Sequence, residues 1–500
     1  MDKPHICIIG SGVAGLSIAK LIKSSHDKKI LITILESGSF EIEDSHQNLN
    51  KTKLIGSSYS GLTEGQFRVV GGNSLRWGGQ MLQNLPWQIG PRKHLNIPPW
   101  PLKHQEIYKF SDEVKKFLGI KNRNIGTRKK FFSNFLNLEE DEYQISEWPP
   151  YTKRNFQRIV GKNFFSDEDI CLRTHTSASK LLLTQSGDQK KIESVVLKST
   201  GEKIEADYFI IAAGAIQTVK LIANSIDDLK INKDILGKDF TDHISSRVGS
   251  IDLGNYKKLN KSLTPYFKGR NFYYPRIQLP KKIQEKYFLP GAFLHLQIIG
   301  KENSTLENIK VIFRSIQEGK FYFSDLKNLK GLFFDFSYFI KLSVSKIFGL
   351  TIPVPKDSKL ELFIDVEQVP SKNNRLVRDE SLLSDELTLH WKINENTTKT
   401  IRIFLDYLQD EVFRKMGIEI TRYEEKEIEK SMIDAYHPCG GTKMGYSREN
   451  SIVNSDLKVH NFENIFILST SVFPTSATAN PGFTLICLAF RLNKLLKKIL

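Results

Sequence analysis

Cysteine is scarce in this chain, with 4 among 500 residues. Cys7, Cys171, Cys439 and Cys487 are scattered with neither metal-ligand spacing nor a pairing framework, so a disulfide scaffold and a zinc module are both excluded and reduced thiols are expected. No uncharged apolar run is long enough for a bilayer span. The first strand-like run begins at His5, which leaves no room for the charged and apolar regions of a secretory signal, and a cytoplasmic location is expected. No basic helix, zinc spacing or aromatic-basic RNA motif accompanies the formal charge of +16. A nucleic-acid partner is therefore not expected. An anionic membrane surface, an acidic substrate or a merely lysine-rich proteome stay open, the last being the plainest reading.

What is present is ample apolar material, 40% hydrophobic and 11% aromatic, enough for a sizeable core in more than one domain. Residues Pro4 to Gly38 read as strand, tight turn, helix and strand: His5 to Ile9, then Gly10-Ser11-Gly12-Val13-Ala14-Gly15, then Leu16 to Lys23, then Ile30 to Leu35 ending on Glu36. Gly10 permits the turn, Gly12 lets backbone approach a pyrophosphate, and Gly15 lets helix pack on strand. The helix N-terminus faces the phosphates, and Glu36 stands where a carboxylate can take the hydroxyls of an adenosine ribose. This unit implies a dinucleotide and leaves NAD and FAD open.

Ser37 to Thr63 is polar with little periodicity and reads as a surface excursion. Arg68 to Gly79 places Gly71, Gly72, Gly78 and Gly79 around Trp77, which indicates backbone lying close to a planar or phosphorylated ligand, or else a glycine-rich turn. Ile107, Phe110, Val114, Phe117 and Leu118 follow helical spacing behind Pro98, Pro99 and Pro101. Short strands are expected at 170–172, 180–183, 192–197 and 209–211, with a turn at Ser186-Gly187-Asp188. The last strand runs into Ala212-Ala213-Gly214-Ala215 and a helix, a second close approach to a nucleotide.

From Gly249 to Ile428 the pattern turns to alternating strands, such as Ala292 to Ile299 and Leu360 to Val366, and reads as a substrate-covering domain. Within it Leu306, Ile309, Phe313 and Ile316, then Leu329, Leu332, Phe333, Phe336, Phe339, Ile340, Val344, Ile347 and Phe348, recur at helical spacing. Asp335, Lys341 and Lys346 interrupt that run. A helix pair packed on the protein and an amphipathic surface that touches lipid both fit.

The C-terminal region is again dense in motifs, with Tyr436-His437-Pro438-Cys439-Gly440-Gly441-Thr442-Lys443-Met444-Gly445 and, later, Ser471 to Thr484 ahead of a closing helix at 485–496. Together with the first glycine motif, the Gly71 to Gly79 block, Trp100-Pro101, Ala213-Gly214-Ala215, Gly237 to His243 and Glu367-Gln368-Val369-Pro370 leading to Asn374-Arg375, the chain resembles the glucose-methanol-choline (GMC) oxidoreductases, in family order. The resemblance is weakest over about 250–355.

The resemblance implies an α/β chain with a Rossmann-like FAD-binding domain at 1–245, containing the βαβ unit 4–38 and the flavin loop 68–80. A sheet-bearing substrate domain at 246–430 with an amphipathic insert at about 304–350, and a segment 431–500 returning to the FAD domain, complete the division. It implies noncovalent FAD, since Arg76 stands where some members carry a flavin-linking histidine. Hydride is expected to pass from a carbinol carbon of a sugar, polyol or other alcohol to the flavin N5. His437 falls on the catalytic base and Asn480 on its partner, which suits the chemistry, because a neutral imidazole can take the hydroxyl proton while an amide N–H holds the oxygen. By the same resemblance Gly10, Ser11, Gly12, Gly15 and Glu36 hold the ADP half. Gly71, Gly72, Asn73, Ser74, Trp77 and Gly78 lie along the pyrophosphate and flavin. Ala178, Ala213, Gly214, Ser471, Asn480 and Pro481 complete the cofactor set, and no metal is expected. Gly441 replaces the commoner threonine and Ser469 a frequent aspartate. The electron acceptor, whether oxygen, a quinone or a carrier protein, stays open, as do a glycan or lipid-linked sugar as substrate and a peripheral contact of 304–350 with the inner face of the membrane. The competing class is a flavin-binding or redox-sensing protein without catalysis.

Overall fold

Apolar runs without alternation need cover on both faces, and these form a parallel sheet. The computed structural model describes residues 3–26, 29–121, 126–186, 189–229, 231–269, 271–302, 304–319, 336–378 and 386–500. Its first sheet is five-stranded: β1 (His5–Ile9), β2 (Leu31–Leu35), β5 (Ile170–Arg173), β9 (Tyr208–Ile211) and β19 (Ile465–Ile467), in the order β19-β9-β1-β2-β5. All four pairings are parallel, with Ile6 opposite Ile32 on one side and Tyr208 on the other. Helix α1 (Val13–Ser25) follows β1, and α3 (Ala215–Asn224) follows β9. The closing helix α6 (Pro481–Ile499) packs on α1. It starts four residues before the expected Leu485, because proline fits the first helical turn, where an N–H would lack a partner anyway.

The second sheet is eight-stranded and antiparallel. Its path is β11 (Tyr266–Lys268), β12 (Asn271–Gln278), β13 (Ala292–Ile299), β14 (Lys359–Glu367), β10 (His243–Ile251) and β17 (Ile420–Arg422). Two further strands, β4 (Tyr143–Trp148) and β18 (Ile433–Asp434), join β12 and β10. Strand β4 thus comes from within residues 1–245 and β18 from within 431–500. Alternation along β14 sends Leu360, Leu362, Ile364 and Val366 into one core. The other face carries Asp365 and Glu367, beside His243 of β10 and Arg276 of β12, and all four are buried.

Two small sheets complete the β-structure. In one, β3 (Thr52–Gly56) pairs in parallel with β16 (Leu387–Trp391), which also pairs with β15 (Arg375–Arg378). The polar stretch 37–63 is only partly exposed, with Asn50, Tyr59 and Leu62 buried, and it contributes that strand. In the other, β6 (Ala178–Ser186), β7 (Gln189–Leu197) and β8 (Lys203–Glu205) form a meander. Gly187 and Asp188 of the expected turn lie outside the described residues.

The insert supplies α4 (Thr305–Glu318) and α5 (Phe336–Phe348). Leu329, Leu332, Phe333 and Asp335 lie outside the described residues. Helix α4 docks on the Gly71 to Gly79 block: Gln317 Nε2 donates to the carbonyls of Ser74 at 3.0 Å and Trp77 at 2.9 Å.

One buried ion pair ties the two layers together. Arg92 Nη2 donates to Glu367 Oε1 at 2.7 Å, with Nη1 on Oε2, and the same Oε1 takes the backbone N–H of Ala477 at 3.1 Å. Removing one partner of a buried pair strands a charge at a cost of about 3–5 kcal/mol. Arg92→Ala is therefore expected to lower the denaturant midpoint sharply, and a paired Arg92→Met, Glu367→Gln change much less; equal shifts in equilibrium unfolding would show that the pair does not join the layers.

Candidate active site

Strand ends and helix starts converge on one cleft. It opens at the C-terminal ends of β1, β2, β9 and β19, where Gly10, Glu36, Ala212 and Leu468 line it, the place where open α/β sheets take ligands. Its volume of about 890 Å³ lies at the upper end of the ~300–1,000 Å³ range of small-molecule sites. Val13 and Ala14 in the first turn of α1 line it, as do Ala215 and Ile216 of α3. Neither Gly12 nor Gly214, the residues that cap these helices, offers a side-chain cap, and a Cβ on either would meet no protein atom within 4 Å. Two uncapped helix N-termini with open space before them suit a pyrophosphate.

Of the residues expected to bind cofactor, Gly10, Gly12, Glu36, Gly72, Asn73, Trp77, Gly78, Ala178, Ala213, Gly214, Asn480 and Pro481 line the cleft. Ser11, Gly15, Gly71, Ser74 and Ser471 are not among the lining residues and lie next to ones that are. Ser11 gives its N–H and hydroxyl to Glu36 Oε2 at 3.1 and 2.6 Å, while Gly38 N–H donates to Oε1 at 2.9 Å. The Glu36 carboxylate therefore braces the glycine turn as well as facing the cleft. A Cβ on Gly15 would lie 1.9 Å from the Gly10 carbonyl, so that glycine serves packing. Ser74 Oγ donates to the Gly71 carbonyl at 2.6 Å, and Ser471 Oγ takes the Thr442 hydroxyl at 2.6 Å. Gly441 has φ +98°, and a Cβ there would sit 2.7 Å from Val219 Cγ2, which explains the absence of threonine. Ser469 lines the cleft with its hydroxyl turned to Ser471 N–H at 3.2 Å.

His437 and Asn480 meet at the far end, with His437 Nε2 3.1 Å from Asn480 Nδ2. On the opposite side of the ring, His437 Nδ1 lies 3.3 Å from His243 Nδ1, and His243 Nε2 lies 2.7 Å from the Ala477 carbonyl. A carbonyl only accepts, so His243 carries its proton on Nε2 and its Nδ1 is an acceptor. His437 then carries its proton on Nδ1 and presents Nε2 as a bare lone pair. Asn480 Oδ1 faces Arg276 Nη1 at 3.4 Å, which turns the amide N–H toward the imidazole. Tyr436 and Ala477, at φ +58° and +51°, stand in the left-handed region beside this pair, strain of a kind concentrated at functional sites.

Asp242 fixes the backbone of both histidines: its Oδ1 accepts from the N–H of His243 at 2.6 Å and of His437 at 3.0 Å, and Oδ2 from Tyr59 at 2.6 Å. Burial pushes its pKa up to about 8, with Asp434 adding, while Tyr59 and the two backbone N–H groups oppose the rise. Asp242, His243 and His437 are close enough to suggest a metal, but their polar atoms are engaged with one another. His437 is held down to about 3, by burial first and then by the neighbouring His243 and Arg276, against the pull of Asp365. Arg276 is itself lowered to about 9 by burial. Sequence reasoning missed Arg276, His243 and Arg92; the Asp242-His243 dipeptide lay in a quoted block, whereas the arginines gave no local signal.

A cleft at the strand ends of a parallel sheet, ending in a histidine–asparagine pair beside an antiparallel sheet, suits a dinucleotide cofactor held next to a reacting group. The profile described as GMC oxidoreductase matches residues 384–489. That matched stretch, which takes in His437 and Asn480, is similar to the GMC oxidoreductases. Among curated proteins it is 27% identical over 139 residues to the fructose dehydrogenase large subunit of Gluconobacter japonicus, covering 26% of this chain and 24% of that one. It is 32% identical over 77 residues to the oxygen-dependent choline dehydrogenase of Citrobacter koseri, 15% and 14% of the two chains. The chain thus spans a quarter or less of the length of these relatives. Pyridoxine 4-oxidase from Mesorbium loti superposes with a TM-score of 0.59 at 12% identity, over 99% of both chains. A formate oxidase variant of Aspergillus oryzae gives 0.57 at 14%, over 100% and 99%. These likenesses show a shared fold. FAD is the family's cofactor and fits the cleft described.

A pKa near 3 in the fold against about 6.5 in the open chain means that the unfolded state binds more protons between these values. The stability that His437 contributes is complete above pH 6.5 and is lost as pH falls toward 3. Unfolding midpoints of the parent are expected to fall more steeply below pH 6.5 than those of His437→Ala; parallel curves would show that the imidazole is not buried in its neutral form.

Proposed function

We propose that the protein oxidises a CH–OH group of a sugar, polyol or other alcohol to a carbonyl, with His437 as general base and Asn480 as its partner. The observation that carries this is the bare Nε2 of His437 held 3.1 Å from the Asn480 amide, in the same cleft as the dinucleotide wall. FAD, when bound, supplies the hydride acceptor. The chain's own part is to place and deprotonate the substrate. A substrate hydroxyl entering between the two side chains gives its proton to Nε2, and the Asn480 N–H turns from the imidazole to the oxygen as charge builds there. Arg276, on Asn480 Oδ1 and on the Thr478 carbonyl at 3.0 Å, holds the oxygen end of that amide and so leaves its N–H on the side of the site.

Noncovalent binding of FAD is supported by Arg76, which pairs with Glu318 at 3.0 Å and lies over Phe67, and which lacks a nucleophilic nitrogen. The fructose and choline dehydrogenases named above support a small hydroxylated substrate. Oxygen, a quinone or a carrier protein can each serve as final acceptor.

The test is anaerobic titration of the flavin-loaded protein with sugars, polyols and simple alcohols. One compound is expected to bleach the flavin band, and His437→Ala to retain flavin but slow bleaching by ~10²–10⁴-fold. Bleaching at the same rate in both proteins removes His437 from the chemistry. Flavin that no compound bleaches favours a redox-sensing protein.

A peripheral, cytoplasmic membrane contact belongs to the same reading. Among the described residues no helix is long and apolar enough to cross a membrane. Phe339, Ile340, Val344, Ile347 and Phe348 are nevertheless exposed along α5, the last two by 74% and 71%, beside exposed Lys341 and Lys346. Apolar residues flanked by lysines suit an anionic bilayer face and leave room for a lipid-linked glycan as substrate. Flotation with phosphatidylserine vesicles is expected to carry the parent and to lose an Ile347→Asp, Phe348→Asp variant; equal flotation would rule out this face.

A further inference from the structure

Away from the catalytic end, three side chains from two segments turn toward one another. Glu43 precedes helix α2 (Asp44–Gln47), which contains His46. His175 lies between β5 and β6 with φ +53°. Glu43 Oε2 is 3.1 Å from His46 Nδ1, and Glu43 Oε1 is 3.3 Å from His175 Nε2. The two imidazoles stand with centroids 4.7 Å apart, and one donor atom from each of the three residues falls within 4.8 Å of the others.

A tetrahedral zinc ion, with nitrogen at about 2.0–2.1 Å and oxygen at about 2.0–2.2 Å, sets its ligand atoms roughly 3.3–3.5 Å apart. Two separations, each to a different oxygen of Glu43, are close to this, and one ligand atom from each residue already lies within 4.8 Å of the others. The side chains are 21%, 38% and 51% exposed for His46, Glu43 and His175, so an ion can enter and water can fill a fourth position. Ser39 donates its hydroxyl to Glu43 Oε1, an outer contact that orients the carboxylate. Ser45 Oγ lies 3.4 Å from His46 Nδ1 and is the one competitor for that nitrogen among the contacts described. Two imidazoles and one carboxylate favour zinc or another borderline transition ion over magnesium or calcium, which prefer oxygen.

We propose that Glu43, His46 and His175 form a zinc-type divalent metal site that clamps the segment after β2 to the loop before β6. That loop continues into Thr176, Ser177 and Ala178, which line the cleft. His175 N–H already donates to the Gly38 carbonyl at 2.9 Å and Thr176 N–H to the Glu36 carbonyl at 2.7 Å. A bound ion adds a cross-link at the same junction, and so steadies the wall of the cleft around Glu36 and Ala178 without entering it.

The test titrates zinc chloride into untagged, chelator-treated protein against a chromophoric zinc chelator, and follows Tm in parallel. One equivalent is expected to bind with a saturable rise in Tm, and magnesium to produce neither effect. His46→Ala and His175→Asn, the latter keeping a residue that tolerates positive φ, should each weaken zinc at least ~10-fold while leaving the metal-free Tm within a degree or two. Equal zinc uptake by parent and double variant overturns the site, as does weak, non-saturating uptake by the parent.

Discussion

One nitrogen must be left bare, and the arrangement at the catalytic end follows from that constraint. The Ala477 carbonyl fixes the proton of His243, His243 fixes that of His437, and the remaining lone pair faces Asn480. Each link forces the next because a carbonyl cannot donate and a neutral imidazole has one proton to place. The chain of contacts starts at a non-glycine residue with positive φ, Ala477. Ala477 is in turn held by Glu367, whose charge is balanced by Arg92. The buried ion pair between the layers and the tautomer of the proposed base are thus parts of one network.

The fold makes that network available by bringing distant segments to one line. The parallel sheet contributes the dinucleotide wall, with glycines at strand ends and two uncapped helices. The antiparallel sheet contributes a polar face, because alternation puts Leu360 to Val366 in the core and leaves Asp365, Glu367, His243 and Arg276 on the other side. Helix α4 adds a third constraint through Gln317, which holds the carbonyls of Ser74 and Trp77 and so the loop between the two sheets.

The nucleotide half was legible in the sequence, since strand, glycine turn, helix and acidic residue are neighbours in the chain and each has its own signal. Four strands of the parallel sheet were legible for the same reason, being short apolar runs, whereas β19, three residues long, was not read. His437 and Asn480 were legible only through whole motif blocks, because nothing local joins residues that far apart. What stayed hidden was the support. Arg276, Asp365 and Glu367 are polar residues set within apolar strands, and alternation marks them as exposed when they are in fact buried, Glu367 against Arg92 and Asp365 beside His295. Strand β3 was hidden because its partner β16 lies far along the chain and its side chains remain exposed. The hydrogen bonds of Ser11 to Glu36, Ser74 to Gly71 and Ser471 to Thr442 were hidden too, since a one-dimensional pattern does not show what a side chain leans on.

In the proposed mechanism a base held near pKa 3 is a weak one, well below the value that suits proton transfer near neutral pH. The depressed value still has a use. An imidazole of ordinary pKa beside bound substrate would be protonated part of the time and unable to accept, whereas this one is neutral throughout the working range. The lost driving force is recovered from the substrate. As hydride leaves the carbinol carbon the oxygen takes on the character of a protonated carbonyl, a far stronger acid than an alcohol, so the proton transfers readily even to a weak base. A hydroxyl proton that moves as the C–H bond breaks, rather than before it, is compatible with so weak a base. Asn480, a neutral donor, then holds the oxygen without trapping it as an alkoxide, which a cation in the same place would stabilise ahead of the hydride step.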